Sequence, residues 1–271
     1  MKIPILIFAG RDEEKREFLK ELDPEGKYKA KMLFPMHGKT VIEWVVEEFQ
    51  KSPMVEAIYI LGLTKEDIDI KGNVHYVPIG LKSTLAEKFN ACLDYLEQQG
   101  KFNDFVIFCS SDCPGIKVKT IESFINFVQE NKELDFIISL ITAETIEEVF
   151  PDSGRGLAIL KDINAIQGEL MMISSKAIKK YGHVIDSFMR LRKKRSLGPF
   201  LRYIARRPLA WSKLIKIARG KGTIDDAIIA FRRAFRLNAA APIYDDPGLG
   251  LDMDLPGDYE RLKDYVKKTK M

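Results

Sequence analysis

The sequence predicts an α/β protein, a doubly wound mixed sheet with helices on both faces, and three observations carry that reading. Residues 3–9, IPILIFA, form an unbroken apolar run closed by Gly10, the pattern of a strand buried on both faces, as parallel sheets require. Apolar runs of strand length then alternate with segments of helical periodicity as far as residue 141, which is how such layers are built. The chain has 271 residues, 46% apolar and 30% charged. That is enough for a full core and one large domain, and it excludes disordered and collagen-like classes.

Taken in order, Ile3 to Ala9 is the first, central strand. Residues 11–30, RDEEKREFLKELDPEGKYKA, are charged and turn-rich, a long loop; KMLFPMHGKT then leads into VIEWVVEEFQK, whose apolar spacing is helical. A strand follows at Ala57–Leu61, an extended piece at Val74–Val77 and a helix over Leu85–Gln98. Next come a strand at Phe105–Cys109, a helix over Lys119–Asn131 and a strand at Phe136–Ile141. Ligands of such layers bind beyond the carboxyl ends of the strands, and SSDCP, residues 110–114, stands at one of those ends.

Beyond this point Gly156–Ile163 and Leu170–Ser174 read as later strands, and 176–240 as a basic helical subdomain inserted in the single 1–271 domain. The chain then returns through PIYDDPGLGLDMDLPGDYERLKDYVKK: a turn-rich stretch, a short strand ending in acids, and a closing helix with Pro256 near its first turn. There is no internal repeat and no low-complexity linker.

The net charge of +4 is unevenly spread, because residues 176–221 hold fifteen Lys and Arg against one acid, Asp186. That segment is built to meet anions. No stretch approaches the about 18–20 uncharged apolar residues of a membrane span, and MKIPILIFAG lacks a cleavage site before charge begins at Arg11. The expectation is a soluble, cytoplasmic protein. Cys92, Cys109 and Cys113 have no second Cys/His pair to complete a zinc site, so reduced thiols are expected.

The candidate chemistry rests on Asp112, Asp252 and Asp254. Asp112 follows a strand of nearly pure hydrophobes, which projects its carboxylate into the ligand crevice. In D-M-D, residues 252 and 254 point to one side if the backbone is extended. Carboxylates so placed suit Mg²⁺, which takes one or two of them and completes its shell with phosphates and water. The competing reading makes Asp112 a cap for the helix after Pro114, and Asp252 or Asp254 a cap for the last helix. Lys31 and Lys39 bracket the loop before the first helix, where ammoniums reach phosphates as point charges, or are solvated. Gly10 permits close backbone approach to a ligand. The dinucleotide and Walker patterns are absent, as are G-x-S-x-G and H-E-x-x-H, and His37, His75 and His183 are read as structural or exposed.

In order along the chain, ILIFAG, K-M-L-F-P-M-H-G-K-T-V-I-E-W, S-S-D-C-P, Q-G-E-L-M-M-I and D-M-D-L-P-G-D-Y-E resemble the MobA-like nucleotidyltransferases, which have a Rossmann-like, GT-A-type fold. The resemblance implies that Lys31 neutralises nucleotide phosphates, that Asp112 is the first Mg²⁺ ligand and that Asp254 is the second, assisted by Asp252. It places Ala9, Gly10, Arg11 and the segment from Gly80 to Ser83 at the nucleotide. Two departures stand out: a long charged insertion follows Gly10 in place of a short Gly-rich loop, and Gly168-Glu169 replaces Gly-Asn. Molybdopterin is therefore not carried over as the acceptor.

The implied reaction is attack by an acceptor, a phosphate monoester, on the α-phosphorus of a nucleoside triphosphate, with pyrophosphate leaving. For the basic segment three readings stand: an acceptor-phosphate site using Lys193 and Lys194, a contact with anionic membrane through Trp211 and Phe200, or a solvated face. No RNA- or DNA-binding motif accompanies it, so nucleic acid is not an expected partner. Two alternatives to the transferase remain: a GT-A glycosyltransferase using D-M-D on a nucleotide sugar, and a non-catalytic nucleotide- or membrane-binding protein on the same fold.

Overall fold

The computed structural model describes residues 2–10, 17–79, 83–100, 104–155, 157–182, 205–255 and 257–271. Strands β1 (Ile3–Phe8), β4 (Val55–Leu61), β5 (Val74–Val77) and β6 (Phe105–Ser110) run parallel in the order β6-β1-β4-β5. The sheet extends beyond β6 through β9 (Asn164–Ser174), β7 (Phe136–Thr142) and β10 (Ala239–Ala240). Of these, β9 is antiparallel to both neighbours and also carries β8 (Leu157–Ile159), while β2 (Pro35–Met36) and β3 (Lys39–Thr40) form a separate antiparallel pair. The result is the mixed, mostly parallel α/β layer that the sequence predicts; β1 is interior, between β6 and β4, while β6 stands at the middle of the order.

The apolar run of β1 is needed on both faces. Ile3, Ile5 and Ile7 pack with α2 (Val41–Gln50), α4 (Val118–Glu130) and α9 (Asp258–Lys270), while Leu6 points to the opposite core with α3 (Leu85–Gln98). Capping boxes start two of these helices: Thr40 with Glu43 for α2, and Thr84 with Glu87 for α3. Short helices α1 (Glu17–Leu22) and α5 (Ala143–Val149) lie in the connections, and α6 covers the described residues 175–182. In the basic region α7 (Pro208–Ala218) and α8 (Ile224–Phe235) pair through Lys213 and Lys216 on Asp226, and the chain then re-enters the sheet as β10. No helix among the described residues is long and apolar enough to cross a membrane.

Four sequence expectations are corrected. The loop expected over residues 11–30 holds a helix at Glu17–Leu22, and the strand expected at Gly156–Ile163 ends at Ile159, before bends at 161 and 162. The strand expected at Leu170–Ser174 begins at Asn164, where it pairs with β8 and β7, and runs through Gly168, at which a Cβ would lie 2.5 Å from Ser139 Oγ and 2.9 Å from Leu249. The glycine marks close packing, not a turn. The short strand expected before the final acids does not form: Pro247–Leu249 is a 3₁₀ turn, and residues 251–255 are irregular. The edge strand of this region is β10, extended by a bridge between Leu140 and Ile243.

Candidate active site

The carboxyl ends of β1 and β6 lie side by side, with Phe8 paired to Ser110. This sets Ala9 and Gly10 beside Ser111 and Asp112, the crevice position that a doubly wound sheet assigns to ligands. Ala9 is fully buried and donates its N–H to Leu61 at 2.8 Å. Gly62 turns away from it at φ 108°, and a Cβ at that position would lie 2.1 Å from the Ala9 carbonyl oxygen. Only glycine lets the two strand ends sit this closely.

Lys31 enters from the 3₁₀ turn Lys31–Leu33, which is anchored by buried Met32 and Leu33. Its ammonium, 11% exposed, forms ion pairs with both Asp112 and Asp254 and donates to the Met253 carbonyl at 3.0 Å. Burial alone would lower its pKa, but the two carboxylates outweigh that and hold it above the ordinary lysine value. Ser110 donates its hydroxyl to the Asp112 carboxylate, which is buried at 3% side-chain exposure.

Oxygens of Asp112, Asp252 and Asp254 lie within 4.8 Å of one another. The grouping that an extended D-M-D was expected to produce is achieved by an irregular loop. Burial, with Asp112 and Asp254 alongside, pushes Asp252 up to about 7, against the pull of Arg155 and Lys31. Glu169, on β9, is raised for the same reasons: burial first, then Asp252, Asp112 and Asp254. Four carboxyl groups thus crowd around Lys31 and Arg155, and the upward shifts of Asp252 and Glu169 mark a cost of ionising them together that a bound divalent cation would relieve. Oxygens around one octahedral Mg²⁺ are separated by about 3–4 Å, so the three aspartates fit such an ion with small closure.

The capping readings of these acids are set aside. Helix α4 is capped by Lys117 without a side-chain bond, and α9 by Gly257 at φ 84°. Lys39 does not join the site; it pairs with Glu47 at 2.5 Å and lies over the Trp44 ring. His37 bonds the Lys263 carbonyl and His75 stacks on Tyr59. All three cysteines are free and buried. Ser83 is half-buried just before the Thr84 cap. Arg11, Gly80, Lys193, Lys194, His183 and Pro256 lie outside the described residues.

Three participants carry no role in the sequence reading. Arg155, 10% exposed, pairs with Asp252 and Asp258, and Asp258 accepts the backbone N–H groups of Asp254 and Leu255. The available signals were faint: a single arginine between glycines in S-G-R-G, and an acid four positions after Asp254. Glu169 appears in the sequence only as a departure from Gly-Asn, and pairing of β9 with β6 is what brings it to the acids.

The fold is shared with known transferases. A hypothetical transferase structure from Thermus thermophilus superposes with a TM-score of 0.70 at 19% identity, covering 97% of this chain and 100% of its own. A CMP:2-keto-3-deoxy-manno-octonic acid synthetase complexed with CTP gives 0.59 at 11% identity, covering 99% of each chain. A cytidylyltransferase from Leptospira borgpetersenii gives 0.52 at 15%, covering 98% of this chain and 86% of its own. At these identities the likeness establishes the fold. No protein-family model and no curated protein matches the chain.

Proposed function

We propose that this protein is a Mg²⁺-dependent nucleotidyltransferase of MobA-like type, transferring a nucleoside monophosphate from a nucleoside triphosphate to a small phosphorylated acceptor. The observation that carries the reading is the convergence of Asp112, Asp252 and Asp254 with Lys31 beyond the ends of β1 and β6. The fold-level likeness to a synthetase complexed with CTP and to a cytidylyltransferase supports the same class.

In the proposed reaction an acceptor oxygen attacks the α-phosphorus, the bond to the bridging oxygen of the β-phosphate breaks, and pyrophosphate leaves with that electron pair. Mg²⁺ held by Asp112, Asp252 and Asp254 would supply polarisation of the phosphoryl oxygens and charge neutralisation. Lys31 places a permanent positive charge at the same point and donates to phosphate oxygens as negative charge builds on them. Ser110 fixes the Asp112 carboxylate through its hydroxyl. The backbone at Ala9 and Gly10 carries no bulky side chain, so a nucleotide can approach the chain closely. The charge of segment 176–221 supports an anionic acceptor, with Lys193 and Lys194 as its contacts.

The test is acceptor-dependent pyrophosphate release, measured with each nucleoside triphosphate against a panel of sugar and alcohol phosphates. The reading requires release that depends on both substrates and on Mg²⁺, and that is lost in Asp112→Asn. Release of a nucleoside diphosphate from a nucleotide sugar, without pyrophosphate, would instead establish glycosyl transfer.

A second reading concerns the surface of α7, which exposes Leu209, Trp211 and Ile215 at 72%, 45% and 48% within the basic region. Apolar side chains amid Lys and Arg support contact with an anionic lipid surface. Sedimentation with phosphatidylserine vesicles at low and high salt tests it, and Trp211→Ser with Ile215→Ser should abolish the binding.

A further inference from the structure

Arg155 belongs to the turn before β8, yet its guanidinium reaches residues 97 and 103 positions further along the chain. One terminal nitrogen donates to the Asp252 carboxylate. The other donates to the Asp252 carbonyl and, at 2.8 Å, to Asp258 Oδ2. That same Asp258 oxygen accepts the N–H of Asp254 at 3.0 Å and of Leu255 at 2.5 Å. Asp258 is fully buried, and its only other ionic neighbour among the described residues is Arg261 at 3.7 Å.

The loop that carries two of the three clustered aspartates is irregular, so no strand ladder fixes it. Within residues 252–255 the backbone supplies one bond, from the Asp254 N–H to the Asp252 carbonyl at 3.2 Å. Orientation must therefore come from side chains: Lys31 holds the Asp254 carboxylate and the Met253 carbonyl, and one guanidinium acts at both aspartates, directly at Asp252 and through Asp258 at the backbone of Asp254. Apart from Arg155 and the weaker pull of Lys31, Asp252 faces Asp112, Asp254 and Glu169, a field that favours its swinging away. A planar fork with fixed donor directions suits this task better than the freely rotating point charge of a lysine.

We infer that Arg155 is a positioning residue that presets Asp252 and Asp254 to receive a divalent cation. The inference rests on the metal reading of the site given above. An arginine bound to one carboxylate oxygen leaves the other for an ion, the relation by which neighbouring groups orient metal ligands and set affinity.

The experiment is Mn²⁺ binding, read as free Mn²⁺ by electron paramagnetic resonance, for wild type, Arg155→Gln, Arg155→Lys, Asp252→Asn and the double variant Arg155→Gln/Asp252→Asn. Melting temperature and circular dichroism establish that each is folded. Arg155→Gln should weaken Mn²⁺ binding by about 10–100-fold, and Arg155→Lys should recover only part of that loss. In the Asp252→Asn background the same change should cost less, since the direct route through Asp252 is already gone and only the route through Asp258 to Asp254 remains. Wild-type affinity in Arg155→Gln, tighter binding, or full additivity with Asp252→Asn overturns the inference. If Arg155→Gln does not fold, Arg155→Lys carries the comparison in both backgrounds. Absence of Mn²⁺ binding in the wild type is a separate result: it removes the metal reading itself.

Discussion

Lys31 and Asp254 form an ion pair across 223 positions of the chain. The pair brings a 3₁₀ turn in the long connection between β1 and α2 to the loop before the last helix, and Asp112 joins them from the end of β6. The ammonium holds two of the three clustered carboxylates together before any ligand arrives. Replacing Lys31 by Met should leave them repelling each other and lower the melting temperature of the metal-free protein. Mg²⁺ should restore more stability to this variant than to the wild type. Turnover should fall by about 100-fold or more, the usual cost of removing one preorganised charge from a reacting phosphoryl group. A variant with wild-type turnover would take Lys31 out of the chemistry.

Lys39 serves as the internal control. It brackets the same loop in sequence but pairs with Glu47 and Trp44, a half-exposed arrangement worth about 1 kcal/mol or less. Lys39→Met should leave nucleotide-induced stabilisation unchanged, as read by thermal melting.

How far the site was legible in the sequence follows from where its parts lie. Asp112 is readable because a buried strand runs straight into it, and Asp252 with Asp254 because two acids recur at a spacing of two. Their convergence is visible only in three dimensions, since it depends on β1 and β6 being neighbours. Arg155 and Glu169 were hidden for a related reason. Their partners are fixed by a loop path and an antiparallel pairing of β9, and neither leaves a periodic signal. The missing strand at residues 251–255 has the same origin: alternating Leu, Asp and Met imitates a strand, whereas the structure uses Asp258 and Arg155 to hold an irregular loop.

Gly62 tests the closeness of the strand ends. With φ at 108° and the Ala9 carbonyl 2.1 Å from an added Cβ, Gly62→Ala should destabilise the protein by about 2–4 kcal/mol. Because the displaced residues are Ala9 and Gly10, nucleotide binding should weaken in the folded fraction as well. Chemical denaturation and calorimetric titration measure the two effects separately.

Lys270 gives a pH signature away from the site. Its side chain is 3% exposed, donates to the Ile116 carbonyl at 2.6 Å and lies 3.4 Å from Glu48. Burial lowers its pKa to about 8 despite the opposing charge of Glu48. The folded state therefore binds this proton less tightly than the unfolded chain, and the lysine's contribution to stability increases as pH rises from about 8 to about 10.5. Relative to Lys270→Met, the wild type should gain about 2–3 kcal/mol over that interval. Parallel pH profiles for the two proteins would show that the buried ammonium is not strained.

The central claim is that the acids around Asp112 bind a nucleoside triphosphate together with a divalent cation. Its most direct measurement is the melting temperature of wild type and Asp112→Asn with ATP, CTP, GTP or UTP, each with and without Mg²⁺. A ligand at 100 times its Kd adds about 2.7 kcal/mol of stability, which shifts the melting temperature by several degrees in a chain of this size. At least one triphosphate should stabilise the wild type only when Mg²⁺ is present, and Asp112→Asn should abolish the shift. Stabilisation that ignores Mg²⁺ and survives in Asp112→Asn, or no stabilisation by any triphosphate, would contradict that claim.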